Sequence, residues 1–337
     1  MKVTLDDIAL EAGVSKATVS YVINGKKRSI GVSAKTTERV REAVDRFGYT
    51  PNSAAVALGR RRRRKPRILI LSPWLHRSGS QFMTHVTGAV EKMGRKAQID
   101  HGMFEPGSLH KVFDRLAGKP HDALLVMGTD SADDAFLARC KGDRKRSIIL
   151  LNRRIEGIAS IHGNDITGGE QVGTLASRCD WYEDHVFVAE RSPSQVVRNR
   201  FDGFTSVLQQ SGKGKPRFFA LEDDRKVSLT SQFSKLQTEC GDRKTLFFVS
   251  KDAAAISLMT WLTKEGAAVP EQYGVIGYDN DPLASIVYPR LTTVDSGLSE
   301  MARSALGLCI STADRDGLPD IVIEPELIIR ESVRTAE

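Results

Sequence analysis

From Ile68 onward, short apolar runs alternate with stretches of helical period, and this alternation constrains the fold more than any other feature of the chain. The apolar runs are ILIL (68–71), AQIDHGMF, ALLVMG (123–128), SIILLN (147–152), HVFVAE (185–190), RFFALE, TLFFVS (245–250) and YGVIGYD (273–279). Helical stretches fall around 80–95, 108–117, 194–210 and 252–265. Strands so continuously apolar cannot leave one face in water, so they predict parallel sheets covered by helices on both sides. A glycine-rich break at Gly163–Gly169 predicts two such lobes rather than one sheet. Ligands of doubly wound sheets bind beyond the carboxyl ends of the strands, so the cleft between the lobes is the expected small-molecule site.

The first 50 residues carry a different signal. Thr4 is placed to cap a helix whose Leu5, Ile8, Ala9 and Ala12 recur at helical spacing, Asp7 sits at the capping-box position, and Gly13 stops the helix. Ser15 caps a second helix, Lys16 to about Asn24, with Ala17, Val19, Val22 and Ile23 as packing positions. A third follows Ser33 with Thr37, Val40, Val44 and Phe47 on one face, closed by Gly48. Together they predict an all-α helix-turn-helix headpiece over residues 1–50. Beyond Pro51, Asn52 can cap one more helix ending at Leu58. At that length it needs a partner surface, because isolated helices become marginal only at roughly 12–15 residues. Arg60 to Arg67 then forms a self-repelling cationic linker.

The charge follows the same division. Residues 1–67 hold 16 Lys and Arg against 6 Asp and Glu, and the remaining 270 hold 33 against 36. A strongly basic small module on a nearly neutral body is the asymmetry expected of a nucleic-acid-binding head. In such a motif the second helix enters the major groove with its N-terminal end facing base edges. Lys16 can reach a guanine edge, Ala17 a thymine methyl, and Tyr21 can offer a hydroxyl or a stacking face. Ser15, Thr18, Ser20 and Asn24 fit phosphate contacts, as do Lys2, Lys26, Lys27, Arg28 and the 60–67 run.

The stretch VTLDDIALEAGVSKATVSYVING, the GYTPN at 48–52 and the short Ala/Leu helix before a basic linker resemble the lactose-repressor/galactose-repressor family of bacterial transcription factors. Further matches are Arg198-Asn199-Arg200-Phe201-Asp202-Gly203-Phe204, Val269-Pro270-Glu271, the YGVIGYD strand, Pro289 to Val294, and the ending Glu324-Pro325-Glu326-Leu327 with Arg330-Glu331-Ser332. The resemblance implies a periplasmic-binding-protein-like α/β effector domain of two lobes over 68–337, crossed by three strands. Lobe 1 would hold about 68–160 and 291–316, and lobe 2 about 161–288 and 317–332. It also implies a homodimer on an imperfectly palindromic double-stranded DNA operator, with Thr4 and Asn52 among the DNA-facing residues. Residues 51–67 would be the hinge helix and linker; paired hinge helices would approach through Ala54, Ala55 and Ala57, and Leu58 would wedge into a minor-groove base step.

For the cleft, the resemblance implies that Arg198 and Asp279 hold a small effector of the carbohydrate class. Trp74 and Phe82 would follow the first strand, and Asn164-Asp165 and Lys251-Asp252 stand where the family often has Asp-Asn and Asn-Asp. Lys251 adds a positive charge there, which extends the candidate ligands to sugar phosphates and sugar acids. Control by a protein partner, or by no small effector, is the alternative. No G-x-S-x-G elbow, P-loop or metal-ligand cluster occurs, and the four cysteines form no C-x-x-C pair, so neither an enzyme nor a cofactor or metal is expected. The acidic, helical start is not a signal peptide and no apolar run approaches a membrane span, so the expected location is cytoplasmic.

Overall fold

The computed structural model describes residues 4–23, 33–47, 65–73, 77–92, 97–115, 121–140, 147–191, 194–222, 227–310 and 320–335. The chain divides into two compact units, Met1–Lys65 and Pro66–Glu337.

In the first unit, α1 (Leu5–Glu11), α2 (Lys16–Ile23) and α3 (Ala34–Arg46) follow the capping signals. The capping box forms in full: the Thr4 amide donates to Asp7 Oδ2 at 2.8 Å, and the Asp7 amide donates to Thr4 Oγ1 at 3.4 Å. Gly13, at φ +60°, makes the turn into α2, where Ser15 Oγ accepts from the Thr18 amide at 3.2 Å. Ile8, Ala9, Ala12, Val19, Val40 and Ala43 form the small core. Phe47, expected on the inner face of α3, is instead 39% exposed, because the helix ends at Arg46 and Phe47 is its C-cap. The hinge segment with Asn52, Ala55 and Leu58, the Arg60–Arg64 run, Asn24, Lys26 and Gly48 lie outside the described residues.

The second unit holds two six-stranded sheets. In the first, β1 (Arg67–Pro73), β2 (Gln98–Phe104), β3 (Ala123–Met127), β4 (Ser147–Leu151) and β5 (Ala159–Gly163) run parallel in the order β5-β4-β3-β1-β2, with a late strand, Ile321–Ile323, beside β5. Helices α4 (Arg77–Lys92), α5 (Leu109–Arg115) and α6 (Ser131–Arg139) lie between these strands in the chain. In the second sheet, β6 (Asp184–Glu190), β7 (Arg217–Leu221), β8 (Thr245–Val249), β9 (Tyr273–Tyr278) and β10 (Thr292–Asp295) run in the order β10-β9-β8-β6-β7, and Glu326–Ile328 pairs antiparallel with β10. Its helices are α7 (Asp165–Ser177), α8 (Gln195–Gln210), α9 (Leu229–Cys240) and α10 (Asp252–Lys264). Each sheet carries a hydrophobic cluster on either face. Ile68, Ile70 and Leu125 belong to one cluster of the first sheet, and Leu69, Leu71 and Leu124 to the other. This is the double coverage that near-continuous apolar strands require.

Two expectations need correction. The lobes exchange chain at 163–165, 295–298 and 323–326. Thr292–Asp295 therefore belongs to the second sheet and Ile321–Ile323 to the first, the reverse of the expected assignment, and residues 161–163 close the first sheet rather than opening the second lobe. Strands of three or four residues hold too few side chains to show a period, and hydrogen bonding to β9 and β5 decides their sheet.

The glycine-rich stretch does begin at the first crossing between the lobes, but its later glycines are helical. It opens α7, which packs on α8. A Cβ on Gly169 would lie 2.1 Å from the Arg200 carbonyl oxygen, and one on Gly203 would lie 2.1 Å from that of Ile166. The glycines are there because the two backbones touch.

Candidate functional site

The carboxyl ends of the two sheets line a cavity of about 180 Å³. The first lobe contributes Ser72 and Pro73 after β1, Met127 to Thr129 after β3, and Leu151 to Arg153 after β4. The second contributes Glu190, the start of α8 (Ser194 to Val197), Arg200, Lys251 and Asp279.

Arg200 is the centre of the second-lobe wall. Its side chain is 6% exposed; Nε donates to Asp165 Oδ1 at 2.8 Å, Nη1 donates to the Ser250 carbonyl at 2.7 Å, and Nη2 lies 3.6 Å from Asp279 Oδ1. The guanidinium also lies over the Tyr278 ring, 3.5 Å from its centroid. Burial alone would favour its neutral form, but Asp165 and Asp279 hold it charged. Burial pushes the Asp279 carboxyl up, against the opposing pull of Arg200 and Lys251. Asp279 takes a left-handed backbone, φ 105°, fixed by its amide bond to the Val294 carbonyl at 2.8 Å and by the next residue, Asn280, which donates to Asp295 and accepts from Arg330. Strain of this kind persists only where neighbours over-determine it, and here it aims the carboxylate at the cleft.

Facing it, Arg153 is locked to Asp134, with Nε donating at 2.8 Å, while Thr129 donates to the other Asp134 oxygen at 2.7 Å. Lys251, the N-cap of α10, pairs with Glu190 at 2.5 Å. Burial would raise the Glu190 carboxyl, but the Lys251 ammonium keeps it below the ordinary range.

The predicted cleft residues separate as follows. Asp279 and Lys251 line the cavity. Asp165 lies behind it as the buried partner of Arg200. Asn164 caps α7 and donates to both Glu324 oxygens at 3.2 Å, tying two crossing segments together. Phe82 is 1% exposed in the first-lobe core, not on the cleft. Arg198 is exposed, bonds to Gln195, and is not among the cavity-lining residues. Trp74 lies outside the described residues.

Sequence reasoning missed Arg200, Glu190, Asn152 and Arg153. For Arg200 a signal was present: Val197, Phe204 and Leu208 mark the inner face of α8, and position 200 falls on it whereas 198 turns about 100° from 197 toward solvent.

Asp252 lies just beneath the cleft. It is buried, accepts from the Thr293 hydroxyl and the Asp281 amide at 2.6 Å each, and is pushed up to about 7 by burial, with Asp279 and Asp281 adding to the shift. A carboxyl raised in the folded state stabilises the fold fully below its unfolded value of 3.8 and loses that contribution as pH rises through about 7. The expected loss between pH 4 and 8 is about 3–4 kcal/mol. Asp252→Asn should flatten that part of the urea-stability profile, gaining on the parent at pH 8 and matching it near pH 4. An unchanged profile would assign the pH dependence to other groups.

In the headpiece, Thr4, Ser15 and Lys16 are exposed and Thr18 is half-buried; the Ser15 and Thr18 hydroxyls lie 2.9 Å apart, and Lys16 pairs with Asp6 at 2.6 Å. Such an exposed pair is worth at most about 1 kcal/mol and leaves the ammonium free to exchange partners. The side chains of Ala17, Ser20 and Tyr21 lie outside the described set. Among the described residues, no group of three His, Cys, Asp or Glu could hold a metal, and no helix is long and apolar enough to cross a membrane.

The family model for bacterial regulatory proteins of the lacI family matches residues 4–52, and that for a periplasmic binding protein-like domain matches residues 182–333. The chain is 26% identical to the HTH-type transcriptional regulator AscG of Escherichia coli and 28% identical to the HTH-type transcriptional repressor PurR of Photobacterium profundum, each over 98% of both chains. Among solved structures it resembles the Lac repressor dimer bound to operator and the anti-inducer ONPF (TM-score 0.67, 23% identity, 98% of this chain and 99% of that one). It also resembles the CelR–cellobiose complex (0.65, 23%, 98% and 99%) and a LacI family regulator from Enterococcus faecium with bound ribose (0.67, 19%, 80% and 100%).

Proposed function

Because the chain belongs to the lacI family of bacterial regulatory proteins and is a DNA-binding transcriptional regulator, we propose that it represses its genes as a homodimer whose operator affinity is set by a small hydroxylated ligand between the lobes. The observation that carries this reading is the Arg200–Asp279 wall, a buried, charged, preorganised surface at the strand ends facing the other lobe. A guanidinium and a carboxylate side by side offer donors and acceptors together, which suits a polyol. The cellobiose and ribose of two structures sharing the fold support the ligand class. Ligand closing the lobes would strain the three crossing segments and, through residues 51–67, alter hinge pairing. Ser15, Thr18 and the basic run would contact phosphates, and Lys16, Ala17 and Tyr21 bases, with Leu58 as the wedge. Leu283, Ile286 and Tyr288, apolar and exposed on the second lobe, fit a dimer surface.

The test is selection of DNA from a random pool, followed by titration of the selected site across a salt series. A palindromic site is expected, with affinity falling at a slope of about −0.9 per neutralised phosphate. A monomer with no DNA binding at micromolar concentration would end the reading. Any sugar that changes operator affinity must itself bind more or less tightly with operator present, by the same factor.

A further inference from the structure

We propose that the Glu190–Lys251 ion pair sets the charge class of the cleft ligand: together the two side chains hold a neutral hydroxyl, and Glu190 turns anions away. This rests on the ligand reading above. Both residues line the cavity, and their side chains remain 43% and 34% exposed, open to an occupant. The Lys251 side chain does nothing for its own helix. Asn164, Ser194 and Ser228 each cap a helix of the second lobe through a side-chain oxygen, whereas Lys251 makes no side-chain capping bond and puts a cation at the positive end of the helix dipole. A residue that breaks the local rule at the rim of a cleft is retained for what it presents to the cleft.

Each of three cations of the site already has a carboxylate partner. Arg153 is bound to Asp134, Arg200 to Asp165 and Lys251 to Glu190, while Asp279 adds a further carboxylate. The positive charge at Lys251 is therefore not available to a sugar phosphate or sugar acid unless Glu190 is displaced. An entering anion would also meet Glu190 and Asp279 at close range. A hydroxyl, with one proton to donate and two lone pairs, can accept from the ammonium and donate to the carboxylate at once, leaving the pair intact. Selectivity is then built from repulsion as well as attraction.

The experiment compares the full-length protein with Glu190→Gln and Lys251→Gln by titration calorimetry, using D-ribose, D-glucose, cellobiose, D-gluconate, D-glucose 6-phosphate and inorganic phosphate. The parent should take a neutral sugar at least about tenfold more tightly than its anionic counterpart. Glu190→Gln should raise affinity for gluconate, glucose 6-phosphate or inorganic phosphate by about tenfold or more, and Lys251→Gln should weaken the neutral sugar without gaining anions. Urea midpoints confirm that each variant folds. A parent that prefers the anion, or a Glu190→Gln variant with an unchanged ratio of anion to neutral affinity, overturns the role of the pair while leaving the ligand cleft in place. If no probe binds the parent or either variant, the cleft reading fails and the pair's role fails with it.

Discussion

Arg200→Met is expected to destabilise the two-lobed unit by about 3–5 kcal/mol at neutral pH, the cost of leaving buried charges without their partner. Asp165, 5% exposed, would lose the guanidinium at 2.8 Å, and Asp279 would lose the cation at 3.6 Å. The Ser250 carbonyl would lose its donor as well. Methionine fills much of the same volume, so the deficit reports charge rather than cavity. It should shrink as pH falls from 7 to 4.5, because Asp279, whose carboxyl burial already pushes up, then takes a proton more readily once the guanidinium is gone. Arg198→Met, two positions away on the exposed face, should change stability by no more than about 0.5 kcal/mol. Urea unfolding of the three proteins at pH 7 and pH 4.5 makes the comparison. Equal midpoints for the two variants, or an Arg200→Met deficit independent of pH, would mean that the buried network does not hold the wall. The same variant should lose cleft binding of any sugar the parent takes.

Gly169→Ala should destabilise by about 3 kcal/mol, at the upper end for an added methyl, because the atom it strikes is backbone that cannot rotate away. The Cβ would meet the Arg200 carbonyl oxygen at 2.1 Å and the Phe204 amide nitrogen at 2.9 Å, so α7 and α8 must separate along their length. For a unit of this size that corresponds to a melting temperature lower by roughly 6–12 °C. Gly203→Ala strikes the same interface from the other side, at the Ile166 carbonyl. The double variant should therefore cost clearly less than the sum of the two, since helices already forced apart admit the second methyl. Strict additivity, or a Gly169→Ala protein as stable as its parent, would show that the helices have room to slide.

The sequence by itself determined the class of fold and the plan of the headpiece, because both are written in short windows. A strand covered on both faces must be apolar throughout, so ILIL and ALLVMG announce buried parallel strands without reference to any other residue. A capping box needs only the three-residue spacing from Thr4 to Asp7, and the bonds form as that spacing implies.

What only the tertiary structure decided depends on residues far apart in the chain. Gly168 and Gly169 look like no more than a break until the Tyr278 ring of β9 and a second helix some 30 residues later take the space of their missing side chains. The three-residue strands after 320 change sheets because hydrogen bonding, not side-chain period, assigns them. The cleft arginine is 200 rather than 198 because the register of α8 against the core turns one inward and the other out, although both stand in the same matched segment. Lys251 reads as a free positive charge until folding brings Glu190, 61 positions earlier, to 2.5 Å. Local windows encode which faces are buried; which buried groups meet is fixed only when the order of strands and the approach of helices bring distant residues together.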